Sequence, residues 1–122
     1  MSKTKVAVVV KPDGEAEVIE FTDETSLKTL QTAVDGYIEA VNLDDEFVMW
    51  VNEEGLIRND LKSNWLGAIL YNEIFKIPNP IMGTVVFTGG VDAEGYTKGL
   101  TPIQVVGTLG MADVAHQAQN RE

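Results

Sequence analysis

The feature that most constrains the fold is a continuous apolar run, Val6–Val10, that leads directly into a turn sequence. An uninterrupted apolar run of this length predicts a strand covered on both faces, because a strand with one wet face would alternate apolar and polar residues. The turn is Lys11-Pro12-Asp13-Gly14, in which proline fixes φ and glycine adopts a positive φ at little cost. Residues 16–21 then return as the hairpin partner. The fold is therefore built on a sheet with cover on both sides.

Helical patterns follow the hairpin. A first helix is predicted between the N-cap candidates at residues 22–26 and Gly36, which is placed to end it in a left-handed conformation. A second helix has Asn64 or Ser63 as its N-cap, and a third begins at the capping box of residues 101–104. The predicted apolar stripes of the three helices are Leu27, Leu30 and Val34; Leu66, Ile69, Leu70 and Ile74; and Ile103, Val106, Gly107, Gly110, Met111 and Val114.

Extended patterns at residues 37–41, 47–51 and 84–88 complete the predicted sheet. The segment 47–51 has large apolar side chains on both faces, which predicts a central strand or a strand in an interface. No internal repeat or shift in composition divides the chain. We therefore expect one α+β domain, residues 1–122, with a mostly antiparallel sheet of about five strands and two or three helices. The two faces of the segment 47–51 carry Phe47, Met49 and Val51 on one side, and Val48 and Trp50 on the other.

Composition excludes several classes of function. The chain has no cysteine, which rules out disulfides, thiolate zinc sites, iron–sulfur clusters and cysteine nucleophiles, and indicates a reducing cytoplasm. Nineteen acidic residues against nine basic ones give a formal net charge of −10, a field that repels nucleic-acid backbones and anionic membrane surfaces. No apolar run approaches the length of a membrane span or a signal-peptide core. We expect a soluble, unprocessed protein with no direct contact to nucleic acid or membrane.

The corner Asn52-Glu53-Glu54-Gly55 follows the most apolar strand and invites two interpretations. Asparagine and glycine suit a tight turn, which would reverse the chain between residues 47–51 and a second sheet segment, Leu56-Ile57-Arg58, and leave the acidic side chains in water. The alternative is that Glu53 and Glu54, with Asp44 or Asp45 from the neighbouring turn, gather around a divalent cation or act as acid and base. That alternative predicts a carboxylate- or cation-dependent hydrolase.

Three other features favour ordinary structural roles. The glycine-rich segment 89–99 lacks the Gly-Lys-Ser/Thr of a phosphate-binding loop and the ligands of a calcium loop, and is predicted to be a mobile surface loop. His116 is the one histidine, too few for the usual metal clusters or a serine–histidine triad. Trp50 and Trp65 could line a ligand pocket but are predicted to belong to the core. We expect no cofactor and no metal.

Segments along most of the chain together resemble a family of small acidic proteins of unknown function, found mainly in bacteriophages and in actinobacterial and other bacterial genomes. The specific part is the Trp-Val-Asn-Glu-Glu-Gly stretch and its distance from the upstream Leu-Gln and Gly-Tyr-Ile-Glu. The resemblance implies a phage or mobile-element context and the host-cell cytoplasm, and it brings no established activity. The matching segments are Lys11-Pro12-Asp13-Gly14, Leu30-Gln31, residues 34–39, Met49–Gly55, Asn64, Gly83, residues 85–89 and Gly99-Leu100-Thr101.

Together these observations predict a phage- or prophage-encoded, non-enzymatic binding protein that contacts a host protein or sequesters a small ligand. The hydrolase centred on Glu53 and Glu54, and an acidic mimic of DNA, are the alternatives. A homo-oligomer is expected because the last helix has a second apolar edge at Val105, Leu109 and Ala112, and because both faces of the segment 47–51 need cover. The candidate binding residues are Trp50, Asn52, Glu53, Glu54, Asn64 and Trp65.

Overall fold

A computed structural model describes residues 3–120, which form a five-stranded sheet with three helices. The strand order is β2-β1-β5-β4-β3, and every strand pair is antiparallel. The α+β prediction is confirmed. None of the helices between residues 3 and 120 combines the length and hydropathy needed to cross a bilayer. In chain order the elements are β1 (Lys5–Val10), β2 (Ala16–Phe21), α1 (Ser26–Val34), β3 (Ile38–Asp44), β4 (Phe47–Asn52), α2 (Trp65–Phe75), β5 (Val85–Thr88) and α3 (Pro102–Gln119).

The sheet has a core on each face. Helices α2 and α3 cover one face, where they meet Val8 and Val10 of β1, and α1 covers the other, where it meets Ala7 and Val9. Successive residues of β1 therefore enter opposite cores, as the period of two in a strand requires. The same alternation holds in β4, which lies between β5 and β3. The predictions of a strand covered on both faces at Val6–Val10 and of an internal strand at residues 47–51 are confirmed.

Local turn and cap signals are also confirmed, with one correction. The N–H of Gly14, at φ +93°, bonds the Lys11 carbonyl at 2.8 Å, and the capping box at the start of α3 forms. The prediction that Gly36 is the left-handed residue ending α1 is wrong, because Asp35 takes that conformation at φ +62°. The N–H of Gly36 then reaches back to the Gln31 carbonyl at 3.1 Å. This pair of positions closes the helix in the manner of a Schellman motif.

Helix α3 buries a different side from the one that its stripe predicted. In α3 the stripe residues Ile103, Val106 and Val114 are exposed, and the opposite side, which carries Ala112 and Ala115, meets the sheet. The buried side also carries Val105 and Leu109, which pack against the same core, so the second apolar edge of the helix is the one that faces the sheet. In α1 and α2 the predicted stripes reach the cores through Leu30, Val34 and Leu66, whereas Leu27, Ile69 and Ile74 are exposed.

The two tryptophans have different environments. Trp50 is partly buried against the core under α1, and its indole N–H donates to Oγ1 of Thr88 at 2.8 Å. Trp65 is 45% exposed at the first turn of α2, so the prediction that it belongs to the core is wrong. The start of α2 is anchored by the side chain of Asn64 instead, which leaves Trp65 on the outside of the helix.

The glycine-rich segment 89–99 is held at both ends, which is not the arrangement expected of a mobile loop. Gly89 and Gly90 are buried, and their backbones exchange hydrogen bonds with Lys98. At the tip, the Asp92 carboxylate accepts from the N–H groups of Tyr96 and Glu94, both at 2.9 Å. These backbone donors hold the pKa of Asp92 below its usual range.

Candidate functional site

The corner after β4 is a succession of turns rather than a hairpin. The N–H of Gly55 bonds the Asn52 carbonyl at 3.1 Å, and the Glu54 carbonyl accepts from Ile57 and Arg58 at 3.1 and 3.0 Å. The N–H groups of Ile57 and Arg58 are bonded within these turns and are not free to join a strand ladder. Residues 56–58 consequently form no strand, and the prediction that they are a second sheet segment is wrong.

Asn52 joins this corner to the end of α1. Its buried side chain donates to the carbonyls of Val34 and Asp35, at 3.0 and 3.3 Å, and accepts from the N–H of Glu54 at 2.8 Å. The last carbonyls of a helix lack partners within the helix, so Asn52 supplies donors that α1 needs. A Cβ on Gly36 would lie 2.8 Å from the Asn52 amide nitrogen, which explains the glycine at that position.

Arg58 reinforces the same connection from the surface. Its Nη1 donates to the Asp35 carbonyl at 2.7 Å, and Nη2 bonds the carboxylates of Asp35 and Asp60 at 3.1 and 2.7 Å. Hydrogen bonds to Asp60, and then to Asp35, raise the pKa of Arg58, and the bond from Arg58 lowers the pKa of Asp60. Exposed ion pairs contribute little stability each, so the main effect of Arg58 is to fix the path of the turn.

Replacement of Asn52 by alanine is expected to lower the free energy of unfolding by about 2 kcal/mol, because the buried Val34 carbonyl loses its side-chain donor and the Glu54 N–H its acceptor. Urea denaturation at neutral pH measures this change. Glu53→Ala serves as the control, since Glu53 is exposed and adjacent. Equal stability of the two variants would show that the amide does not anchor α1.

A groove of about 400 Å³ opens on the outer side of this corner. Its walls come from β3, the turn at residues 52–57, the second half of α2 and the segment 79–82. Tyr71 and Phe75 of α2 stand together in it, with ring centroids 4.5 Å apart. Leu56 and Ile57 line it too, and they are 68% and 80% exposed. The groove therefore offers apolar surface that the folded chain leaves open to water.

The groove runs beside a free sheet edge. β3 is the last strand in the order, and no other strand within residues 3–120 pairs with its outer side. The Tyr37 carbonyl bonds the N–H of Glu53 on the β4 side. Backbone groups of an antiparallel strand point alternately to either side, so those of Ile38, Ala40 and Asn42 point outward. These groups can bond to an added strand.

The charge of the groove is acidic. Among the described residues that line it, the charged ones are Glu39 and Glu53. Both are exposed, so their carboxylates remain hydrated and available to a cation or a basic side chain. The groove can therefore accommodate an extended chain that carries apolar and basic side chains.

The residues predicted as a binding set are not brought together. Asn52 and Glu53 line the groove, whereas Glu54 lines a separate cavity with Lys28 and Tyr37. The two glutamates thus do not converge in the way that the hydrolase hypothesis requires. No group of three acidic or histidine side chains within residues 3–120 is arranged to hold a metal ion. The remaining members lie elsewhere: Trp50 faces the core under α1, Asn64 is buried at the start of α2, and Trp65 lies beside it.

Sequence reasoning missed most of the apolar wall of the groove. The sequence predicts a strand for Leu56 and Ile57 and no role in a site for Tyr71 and Phe75. A usable signal was present, because two large apolar residues directly after an Asn-Glu-Glu-Gly turn have no strand partner in the sequence. The free edge of β3 had no signal, since strand order is a property of the assembled sheet.

Comparison with protein families gives a match over most of the chain. A family model described as "Domain of unknown function (DUF3846)" matches residues 4–112. This range contains every residue that lines the groove. No curated protein and no solved structure matches the chain.

Proposed function

We propose, for a chain that belongs to the family described as "Domain of unknown function (DUF3846)", a non-enzymatic binding function in which an extended segment of a partner protein is held against β3. The observation that carries this proposal is the unpaired outer edge of β3 beside an open apolar groove. Strand addition to an exposed edge is a recurrent mode of peptide recognition, in which backbone hydrogen bonds supply affinity and neighbouring pockets supply specificity.

The lining of the groove defines the partner segment. Leu56, Ile57 and Phe75 favour apolar side chains, because contact with them removes exposed apolar surface from water. Glu39 and Glu53 favour lysine or arginine at the rim. The net charge of −10 also accelerates association with basic partners and repels acidic ones. The proposed ligand is therefore an extended segment that alternates apolar and basic residues.

The biological setting is part of the same proposal. The resemblance to phage and actinobacterial proteins supports a phage or prophage origin, and with it a protein of the host cytoplasm as the partner. An acidic protein that captures a basic segment of a host protein would modulate that protein without any catalytic step. The absence of cysteine is compatible with a reducing compartment.

The proposal is tested with a peptide in which lysine and valine alternate. The peptide has about eight residues, which is the length of one strand. Added to ¹⁵N-labelled protein, it should shift the amide signals of residues 38–42 and 53–57. A peptide of alternating glutamate and valine should not. Ile57→Lys should weaken binding at least about tenfold, since it removes apolar contact and adds a like charge.

Leu27→Lys is the matched control, because Leu27 is an exposed apolar residue on α1 and lies outside the groove. Its binding should equal that of the wild type. Signal shifts confined to another surface, or undiminished binding by Ile57→Lys, would contradict the proposal.

A further inference from the structure

The outward side of α3 is an apolar surface without a partner among the described residues. Ile103, Val106 and Val114 are 85%, 72% and 69% exposed. The 18 residues of the helix include one that is charged at neutral pH, Asp113. Scattered exposed apolar residues are ordinary, but three along one side of a long helix form a stripe typical of an interface. The stripe is conspicuous in a chain with a net charge of −10.

Two glycines lie in the same stripe, at positions where the isolated chain does not need them. A Cβ added to Gly107 or to Gly110 would have nothing within 4 Å, and both positions are inside the helix. Glycine inside a helix is less favourable than alanine, so packing within one chain does not account for either residue. Glycines do allow a second helix to approach closely.

Two pairs of positions in the stripe are symmetric about its midpoint, whereas the counterpart of Val106 is Met111, which is partly buried against the core. Ile103 and Val114 lie equally far from the midpoint of the stripe. Gly107 and Gly110 also lie equally far from it, at a shorter distance. A two-fold interface uses the same surface on both copies, so it requires a pattern that complements itself in this way. We propose that a second copy of this chain packs antiparallel on α3, with the glycines at the crossing and Ile103 of each copy against Val114 of the other.

Charge is compatible with this arrangement. In the antiparallel arrangement the two Asp113 residues lie about 13 Å apart along the helix axis. That separation exceeds the Debye length of about 8 Å at physiological ionic strength, so their repulsion is screened. The remaining repulsion between two acidic copies weakens as salt is added, and the dimer should accordingly strengthen.

The area of the stripe places the proposed dimer among small interfaces. A helix of 18 residues is about 27 Å long, and one side of it presents roughly 400 Å² per copy. The total of about 800 Å² is below the size of most stable complexes, which predicts a reversible dimer. Sedimentation equilibrium should show monomer and dimer exchanging over the micromolar range.

The decisive experiment uses Ile103→Glu and Val114→Lys, two changes at exposed positions that suit the helix dipole. Each variant alone should dimerise at least about tenfold more weakly than the wild type. An equimolar mixture should regain dimer, because the new carboxylate of one chain meets the new ammonium of the other. Leu27→Glu, an exposed change on α1, is the control and should dimerise normally.

A second measurement does not depend on these charges. The chain lacks cysteine, so Ile103→Cys and Val114→Cys can be joined specifically by a short bismaleimide. The mixture should cross-link far more than either variant alone. A wild type that remains monomeric at high micromolar concentration, a mixture of the charged variants that does not recover, or equal cross-linking in all samples would each overturn the antiparallel dimer.

Discussion

Replacement of Asn64 by alanine is expected to lower the free energy of unfolding by about 3 to 5 kcal/mol. Asn64 is fully buried, and its amide group makes three hydrogen bonds. Oδ1 accepts from the N–H of Gly67 at 3.0 Å, which caps α2, and Nδ2 donates to the carbonyls of Val10 and Gly83 at 3.1 and 2.9 Å. One side chain thus ties the start of α2 to the end of β1 and to the chain entering β5.

The cost of the change has two sources. Loss of an N-cap side chain typically costs about 1 kcal/mol. Two buried carbonyls that lose a donor each add about 1 to 2 kcal/mol. Small domains have a total stability of about 5 to 15 kcal/mol, so the variant should lose a large fraction of it.

Urea denaturation followed by circular dichroism measures the effect of the change at Asn64. Ser63→Ala is the control, because Ser63 is exposed and should change stability by no more than about 0.5 kcal/mol. Asn64→Asp separates the loss of the N-cap from the loss of the two donors. Its carboxylate still accepts from the N–H of Gly67 but has no donor for the carbonyls of Val10 and Gly83. Wild-type stability of Asn64→Asp would show that the cap alone matters.

Replacement of Gly90 by alanine is expected to destabilise the fold by about 3 kcal/mol or more. A Cβ at this position would overlap the backbone carbonyl oxygen of Asp45, in the turn between β3 and β4. A backbone oxygen cannot rotate away as a side chain can, so the loop and the turn must separate. That movement also strains the bonds between Gly90 and Lys98, and the ion pair of Lys98 with Glu46.

Gly107→Ala is the matched control for Gly90→Ala. The same methyl group meets open space on α3, where alanine is about 1 kcal/mol better than glycine. Thermal unfolding in dilute solution should show a lower melting temperature for Gly90→Ala and an unchanged or higher one for Gly107→Ala. Similar changes in both variants would mean that the close approach at Asp45 does not govern stability.

The two proposals can fail separately. The groove variant Ile57→Lys lies at the corner after β4, whereas the dimer variants lie on the outer side of α3. Loss of peptide binding with an intact dimer would implicate the β3 edge alone. A dimer with two copies of the groove would bind a repeated or clustered partner with enhanced avidity.

At the candidate site, the Trp-Val-Asn-Glu-Glu-Gly stretch predicts some features from sequence and leaves others to the tertiary structure. Its residue types predicted a turn with exposed acidic side chains, and Glu53 and Glu54 are exposed in a turn. The residue types of this stretch could not show that the Asn52 side chain forms hydrogen bonds with the end of α1, because Val34 and Asp35 lie 18 and 17 residues away in the chain. A contact at that separation depends on where the helix packs.

The sequence by itself determined the features that short-range sterics and hydrogen bonding control. The Lys11–Gly14 turn, the capping box at Thr101 and the extended conformation of Val6–Val10 all depend on neighbouring residues, and all are present. Tertiary structure alone decided which side of α3 is buried and which strand edge is left open. Both sides of α3 are apolar, so only the fit of Ala112 and Ala115 against the assembled sheet selects one of them.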